Sequence, residues 1–208
     1  MALTNRDKAI IADLNRFRVM DRDSIAELHF GHLKYPNCAA NSVLLRLLRE
    51  GHIQRSTAFT PYVYFSGESK IKKDSAKIGH FLAILNAYKE IRQHGRLDTF
   101  LIEPKYGEKG VVEPDIFCIY RKTPFFIELQ RTVYSEKQMA EKLERYLALY
   151  QSGVIALEPW QNPKRIMFPH VLILSAQRYG IRNYPYHVFQ AASFTEFLRS
   201  LKVKTPAV

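Results

Sequence analysis

The chain has 208 residues, 47% hydrophobic and 25% charged, a balance that excludes a mainly disordered polymer and supplies enough apolar side chains for a real core. Lys and Arg number 31 against 20 acids, a net charge of +11 that makes nucleic acid the leading partner class and acidic membrane surfaces a weaker second. No apolar run is long enough to span a bilayer, and Met1 to Arg6 lacks the apolar stretch of a secretory signal. Cys38 and Cys118, each in an apolar sequence setting, read as packing thiols in a reducing compartment, so a cytoplasmic, soluble protein is expected.

Charge and texture divide the chain. Residues 1–97 carry 16 Lys/Arg against 9 acids, and residues 98–208 carry 15 against 11. Thr4 with Asp7 predicts a capped helix bearing Ile10, Leu14 and Phe17. A second helix is expected from Asp21–Ser24 onward. A third, roughly Cys38 to Glu50, is closed by Gly51, with Val43, Leu44, Leu47 and Leu48 on one face. His52–Thr57 and Tyr62–Phe65 alternate like strands around the turn residues Ala58 to Pro61. The polar stretch 66–74 has the composition of a linker, dividing a domain at 1–70 from one at 74–203.

Three short helices and a hairpin are the layout of a winged helix-turn-helix. Asn41, Ser42, Arg46 and Arg49 on the outer face of the third helix suit a DNA major groove. Arg55 and the basic run Lys70–Lys73 suit phosphates. The competing reading of these residues is a solvated polar face on a small helical core.

In the second part, Asp74 to His94 reads as a helix capped by Asp74 and closed by Gly95. Strands follow at Thr99–Glu103, Ile116–Tyr120 and Phe125–Leu129. Ser135 with Gln138 predicts a capping box on a helix to about Ser152. His170–Ser175 reads as a buried strand, Tyr186–Gln190 as an edge strand, and Ser193–Leu201 as a closing helix. The fold class expected is therefore α/β of the α+β kind.

The most informative residues are Glu113-Pro114-Asp115 and Phe126-Ile127-Glu128-Leu129-Gln130. Strand periodicity puts Glu128 and Gln130 on one face, and a carboxylate among Phe125, Phe126, Ile127 and Leu129 needs compensation. A divalent cation shared with Asp115 supplies it, Mg²⁺ (or Mn²⁺) suiting one or two carboxylates plus water and phosphate oxygens. An ion pair from Glu128 to Arg121, Arg131 or Lys142 is the structural alternative, and Glu-Pro-Asp alone is a common turn signal.

These residues resemble the PD-(D/E)XK nuclease superfamily: Pro114-Asp115 and Glu128 match, and Gln130 stands where the family has lysine, a replacement that some active members share. On the helix that follows, Gln138, Lys142 and Tyr146 recur at every fourth position, and superfamily members send such residues toward the metal and phosphate. The resemblance thus implies Asp115 and Glu128 as metal ligands and catalytic residues, Gln130 orienting water, and Lys142 supplying the missing charge. Gln138, Tyr146 and Glu90 of the preceding helix are accessory candidates. The whole chain is similar to the replication-relaxation family of mobile elements and to C-class plasmid mobilisation relaxases, which implies binding of double-stranded DNA at an origin and metal-dependent nicking. The alternative is a non-catalytic DNA-binding regulator or accessory factor on a degenerate nuclease fold. Whether it acts singly or as a homodimer stays open. Tyr134 is a weak candidate for a nicking tyrosine, and Leu157–Phe168, with the sole tryptophan at 160, reads as a loop that could stack a base.

Overall fold

The computed structural model describes residues 2–107 and 111–203. Among them the chain forms six α-helices and two sheets, an α+β architecture in two compact units, Met1–Leu85 and Asn86–Val208.

In unit 1, α1 (Asn5–Phe17) starts at the expected capping box: the Thr4 hydroxyl accepts from the Asp7 amide at 3.2 Å, and Asp7 Oδ2 accepts from the Thr4 amide at 2.8 Å. The two-residue strand β1 (Met20–Asp21) leads into α2 (Arg22–Phe30), capped by Asp21, whose Oδ1 accepts from the Ser24 amide at 2.7 Å. The third helix, α3 (Pro36–Arg49), begins before Cys38 because Pro36 occupies its first turn, where no amide proton is needed. Strands β2 (Ile53–Ser56) and β3 (Val63–Ser66) form the expected hairpin, and β1 adds to its other side in the antiparallel order β1-β3-β2. Ile10, Leu14 and Phe17 of α1, Ile25 and Phe30 of α2, Leu44 and Leu47 of α3, and Ile53, Val63 and Phe65 of the sheet are all buried. A Cβ on Gly67 would lie 2.7 Å from the Gly51 carbonyl oxygen, so the end of the hairpin is closed by backbone against backbone.

The stretch 66–74 is fastened, not a loose linker. Gln54 Nε2 donates to the Gly67 carbonyl at 2.7 Å, and Ser56 Oγ donates to the Lys73 carbonyl at 2.8 Å. Helix α4 (Lys77–Gln93) starts after Asp74; Ser75 Oγ accepts from the Lys77 amide at 3.3 Å in place of the expected Asp74 cap. The two compact units meet inside this helix, at Leu85 and Asn86, and Ile78, Phe81, Ile84 and Leu85 of its first half are buried.

Unit 2 holds a five-stranded sheet in the order β4-β5-β6-β7-β8, built from β4 (Leu97–Ile102), β5 (Ile116–Tyr120), β6 (Thr123–Leu129), β7 (His170–Leu174) and β8 (Val188–Ala191). Strands β4, β5 and β6 pair antiparallel, whereas β6, β7 and β8 pair parallel. The parallel step needs a crossover, supplied by α5 (Glu136–Ser152). Ser135 and Gln138 form its capping box, and Gly153 ends it at φ +69. Phe117, Phe126, Val171 and Ile173 pack with Met139, Leu143, Tyr146 and Leu149 of α5. Phe125 and Tyr120 meet Phe197 and Phe194 of α6 (Phe194–Val203). Both strand faces are therefore covered, which is why β5 and β6 read as nearly continuous apolar runs.

The segment 157–168 does not present its tryptophan for stacking. Trp160 lies 5.0 Å, centroid to centroid, from Phe117, and so anchors the segment to the core. Cys118 is fully buried and burial pushes its thiol up to about 12, but Cys38 is exposed on α3, contrary to the packing role expected of it. Among the described residues, no helix is long and apolar enough to cross a membrane.

Candidate functional site

Asp115 directly precedes β5. Continuing the β5–β6 register from Ile116 opposite Ile127 places Asp115 opposite Glu128, and strand periodicity puts both side chains on the face that Phe117 and Phe126 share with α5. Asp115 Oδ2 accepts from the Leu129 amide at 2.7 Å, fixing the carboxylate across the strand pair.

Glu128 is 1% exposed. Tyr146 donates its hydroxyl to Glu128 Oε1 at 2.6 Å, and the Lys142 ammonium donates to Oε2. These donors stand one helical turn apart on α5, and Leu143 and Leu149 hold that helix against the sheet. Lys142 Nζ also lies 6.0 Å from the centre of the Tyr134 ring. Burial pushes the Glu128 carboxyl up to about 7 and the Asp115 charge adds to the rise, while Lys142 and Tyr146 pull it back. Burial works against the Lys142 ammonium, but Glu128 and Asp115 outweigh it and hold the lysine above its ordinary value. Burial also pushes the Tyr146 hydroxyl well above its usual range, and Glu128 reinforces the shift, so Tyr146 stays a donor.

Gln130 follows directly after β6. Its amide donates to the Leu174 carbonyl at 2.9 Å, while its side-chain Oε1 is buried without a hydrogen-bond partner. Asp115 and Glu128, opposite one another on adjacent strands, offer only oxygen donors, and the Gln130 side chain carries a further buried carbonyl oxygen two residues on from Glu128. This chemistry fits a hard divalent cation completed by water and phosphate oxygens. Among the described residues no group of three or more His, Cys, Asp or Glu converges on one point, so a closed protein cage for a metal is not built there.

Of the cations weighed as partners for Glu128, Lys142 makes the contact; Arg121 donates instead to the His94 carbonyl at 2.6 Å. Two accessory candidates lie elsewhere. Gln138 spends its side chain on the helix cap, its Oε1 accepting from the Ser135 amide at 2.9 Å. Glu90 caps α6, accepting from the Thr195 amide at 2.8 Å and the Thr195 hydroxyl at 2.6 Å.

In unit 1, Asn41, Ser42 and Arg49 lie on the exposed face of α3, with Leu45 between them. Arg46 does not join that face. Its guanidinium donates to Asp7 Oδ1 at 2.6 Å and to Glu50 at 3.3 Å, tying α3 to the start of α1, because a fully buried Asp7 demands a counter-charge. Arg55 lies over the Tyr62 ring at 4.8 Å and shares an open trough with Ser56, Thr57, Lys72, Lys73 and the acidic Asp74. The sequence reading missed the apolar cleft formed by Leu44, Leu45, Leu48, Pro61, Tyr62 and Tyr64. Its local sign was the pair of alternate tyrosines, Tyr62 just before β3 and Tyr64 within it, the latter opposite Arg55.

No family model matches the chain, and neither a curated protein nor a solved structure does.

Proposed function

We propose that the protein binds duplex DNA through unit 1, read as a winged helix, and cleaves or nicks it in unit 2, read as a PD-(D/E)XK-type nuclease core dependent on a divalent cation. The observation that carries this reading is the inward-facing Glu128 on β6, opposite Asp115 and bonded to Lys142 and Tyr146 of the crossover helix. Three antiparallel strands, a crossover helix and a parallel strand, preceded by α4, agree with it. So do the net charge of +11 and the exposed Asn41, Ser42 and Arg49.

Asp115, Glu128 and Gln130 Oε1 would hold the cation, which supplies Lewis-acid stabilisation of charge growing on the phosphodiester. For Glu128 to serve as a ligand it must be ionised and released by Lys142. The ammonium, carried on a side chain 12% exposed, then neutralises the scissile phosphate in the role the family gives to a lysine at the position of Gln130. Tyr146 holds the other carboxylate oxygen and fixes the orientation of Glu128.

A second reading, a non-catalytic DNA-binding regulator, is favoured by one feature: both oxygens of Glu128 already have protein donors, as in a purely structural ion pair. Supercoiled plasmid incubated with wild type, Asp115→Asn and Lys142→Met, in Mg²⁺, Mn²⁺ or chelator, separates the two. The nuclease reading expects metal-dependent open-circular product that both substitutions abolish. Intact plasmid in every lane, with salt-sensitive retention of the DNA, would establish the regulator.

A further inference from the structure

The apolar cleft of unit 1 has no part in the chemistry above. It encloses about 450 Å³ between α3 and the β2–β3 hairpin, a volume in the range of small-molecule sites. Leu44, Leu45 and Leu48 form one wall, and Pro61, Tyr62 and Tyr64 the other. Its polar groups are few, and the only charged ones are cationic: Arg22 and Arg55 beside the neutral Asn41, the Thr60 hydroxyl and the tyrosine hydroxyls. Arg22 keeps its Nε on Asp23 at 2.5 Å. Arg55 is steered by the Tyr62 ring, 4.8 Å from its guanidinium carbon, and among the described residues it has no carboxylate partner. An apolar cavity with a guanidinium lacking an acidic partner at its edge is complementary to an amphipathic anion, the body desolvated by leucine and tyrosine and the charge met by a planar two-donor fork.

We propose that this cleft binds a small organic monocarboxylate with an aryl or medium-chain alkyl body, and that the bound carboxylate displaces DNA. The displacement follows because Asn41 and Arg55, expected to face DNA, also line the cleft, and a ligand there withdraws both. That second half rests on the DNA-binding reading given above; the first half does not.

The test uses the full chain with octanoate and phenylbutyrate as probes and octanol as the uncharged control. Binding is followed by calorimetry and by NMR shifts of the Leu44, Leu48 and Tyr62 signals, and DNA retention is measured separately without any probe. Both carboxylates should bind and octanol should bind about tenfold more weakly or not at all, as loss of one charge-assisted contact requires. Arg55→Met should weaken carboxylate binding by a similar factor of about ten. Leu45→Trp, at a position 44% exposed at the mouth of the cleft, should block it without disturbing the core. Carboxylate, and not octanol, should then release DNA from wild type at matched ionic strength. Equal binding of octanol and octanoate, or no shift at Leu44, Leu48 and Tyr62, overturns the cleft assignment even if DNA is retained. Carboxylate binding by a protein that retains no DNA at low salt upholds the cleft and overturns the DNA-binding reading instead.

Discussion

Glu128 offers the sharpest test of the electrostatics of unit 2. Its carboxyl has an ordinary value of 4.5 and is raised to about 7 in the fold, first by burial and then by Asp115. The folded protein therefore holds that proton more tightly than the unfolded chain. The stabilisation this gives is fully present below 4.5 and is lost as pH rises through about 7. At about 1.4 kcal/mol per pH unit, the gap between 4.5 and about 7 amounts to about 3 kcal/mol. Glu128→Gln keeps the shape of the side chain and its bond from Tyr146 but cannot titrate. The stability of wild type relative to Glu128→Gln should therefore fall by about 3 kcal/mol between pH 4 and pH 8. Urea titrations in chelator, followed by fluorescence, make the comparison, because the sole tryptophan, Trp160, packs on Phe117 and reports unit 2 alone. A difference that stays flat, or that grows with pH, would refute the reasoning: Lys142 and Tyr146 would then be compensating burial completely.

Tyr146→Phe should cost about 1–3 kcal/mol, because it leaves Glu128 Oε1 buried and unpaired, and the cost should be larger at pH 8 than at pH 5; the same fluorescence titration reads it. Asp7→Ala removes both the α1 capping box and the partner of Arg46, whose side chain is 28% exposed, and should lower the stability of unit 1 by about 2–4 kcal/mol in urea melts followed by circular dichroism. On duplex DNA, Arg49→Ala should reduce the slope of log K against log salt by about 1, whereas Arg46→Met should leave the slope unchanged and lower the melting temperature instead. Gly67→Ala should destabilise the β2–β3 hairpin, since the added methyl meets the Gly51 carbonyl at 2.7 Å; the urea midpoint by circular dichroism is the readout.

What could be read from the sequence was local. Thr4 with Asp7 and Ser135 with Gln138 announce their helices because a capping box is complete within four residues. Lys142 and Tyr146 were legible as a pair because helical spacing alone puts them on one face. Gln138 shares that spacing, yet the cap next to it in the chain takes its side chain first. Contacts between distant residues left no trace in the sequence. Glu90 reaches Thr195 across 105 positions and Arg46 reaches Asp7 across 39, so neither an α6 cap nor a helix-to-helix tie showed in the pattern. Strand β1, two residues long, is too short to carry any period. Expected reader and expected ligand thus became structural residues for the same reason: a buried or capping partner elsewhere in the chain claimed them.

The division inside α4 sets how the protein can be taken apart. A cut in the polar stretch before Lys77 would look natural on the sequence, but it would strip Ile78, Phe81, Ile84 and Leu85 from the unit they complete and open its interior to water. A cut at Leu85 keeps those side chains but leaves each fragment with half a helix and a set of amide and carbonyl groups no longer bonded along the axis. Recombination that swapped one unit for a relative's would therefore have to carry the join within a helical turn, in register. Loop-to-loop exchange, the usual route by which modules are shuffled, is closed at this joint.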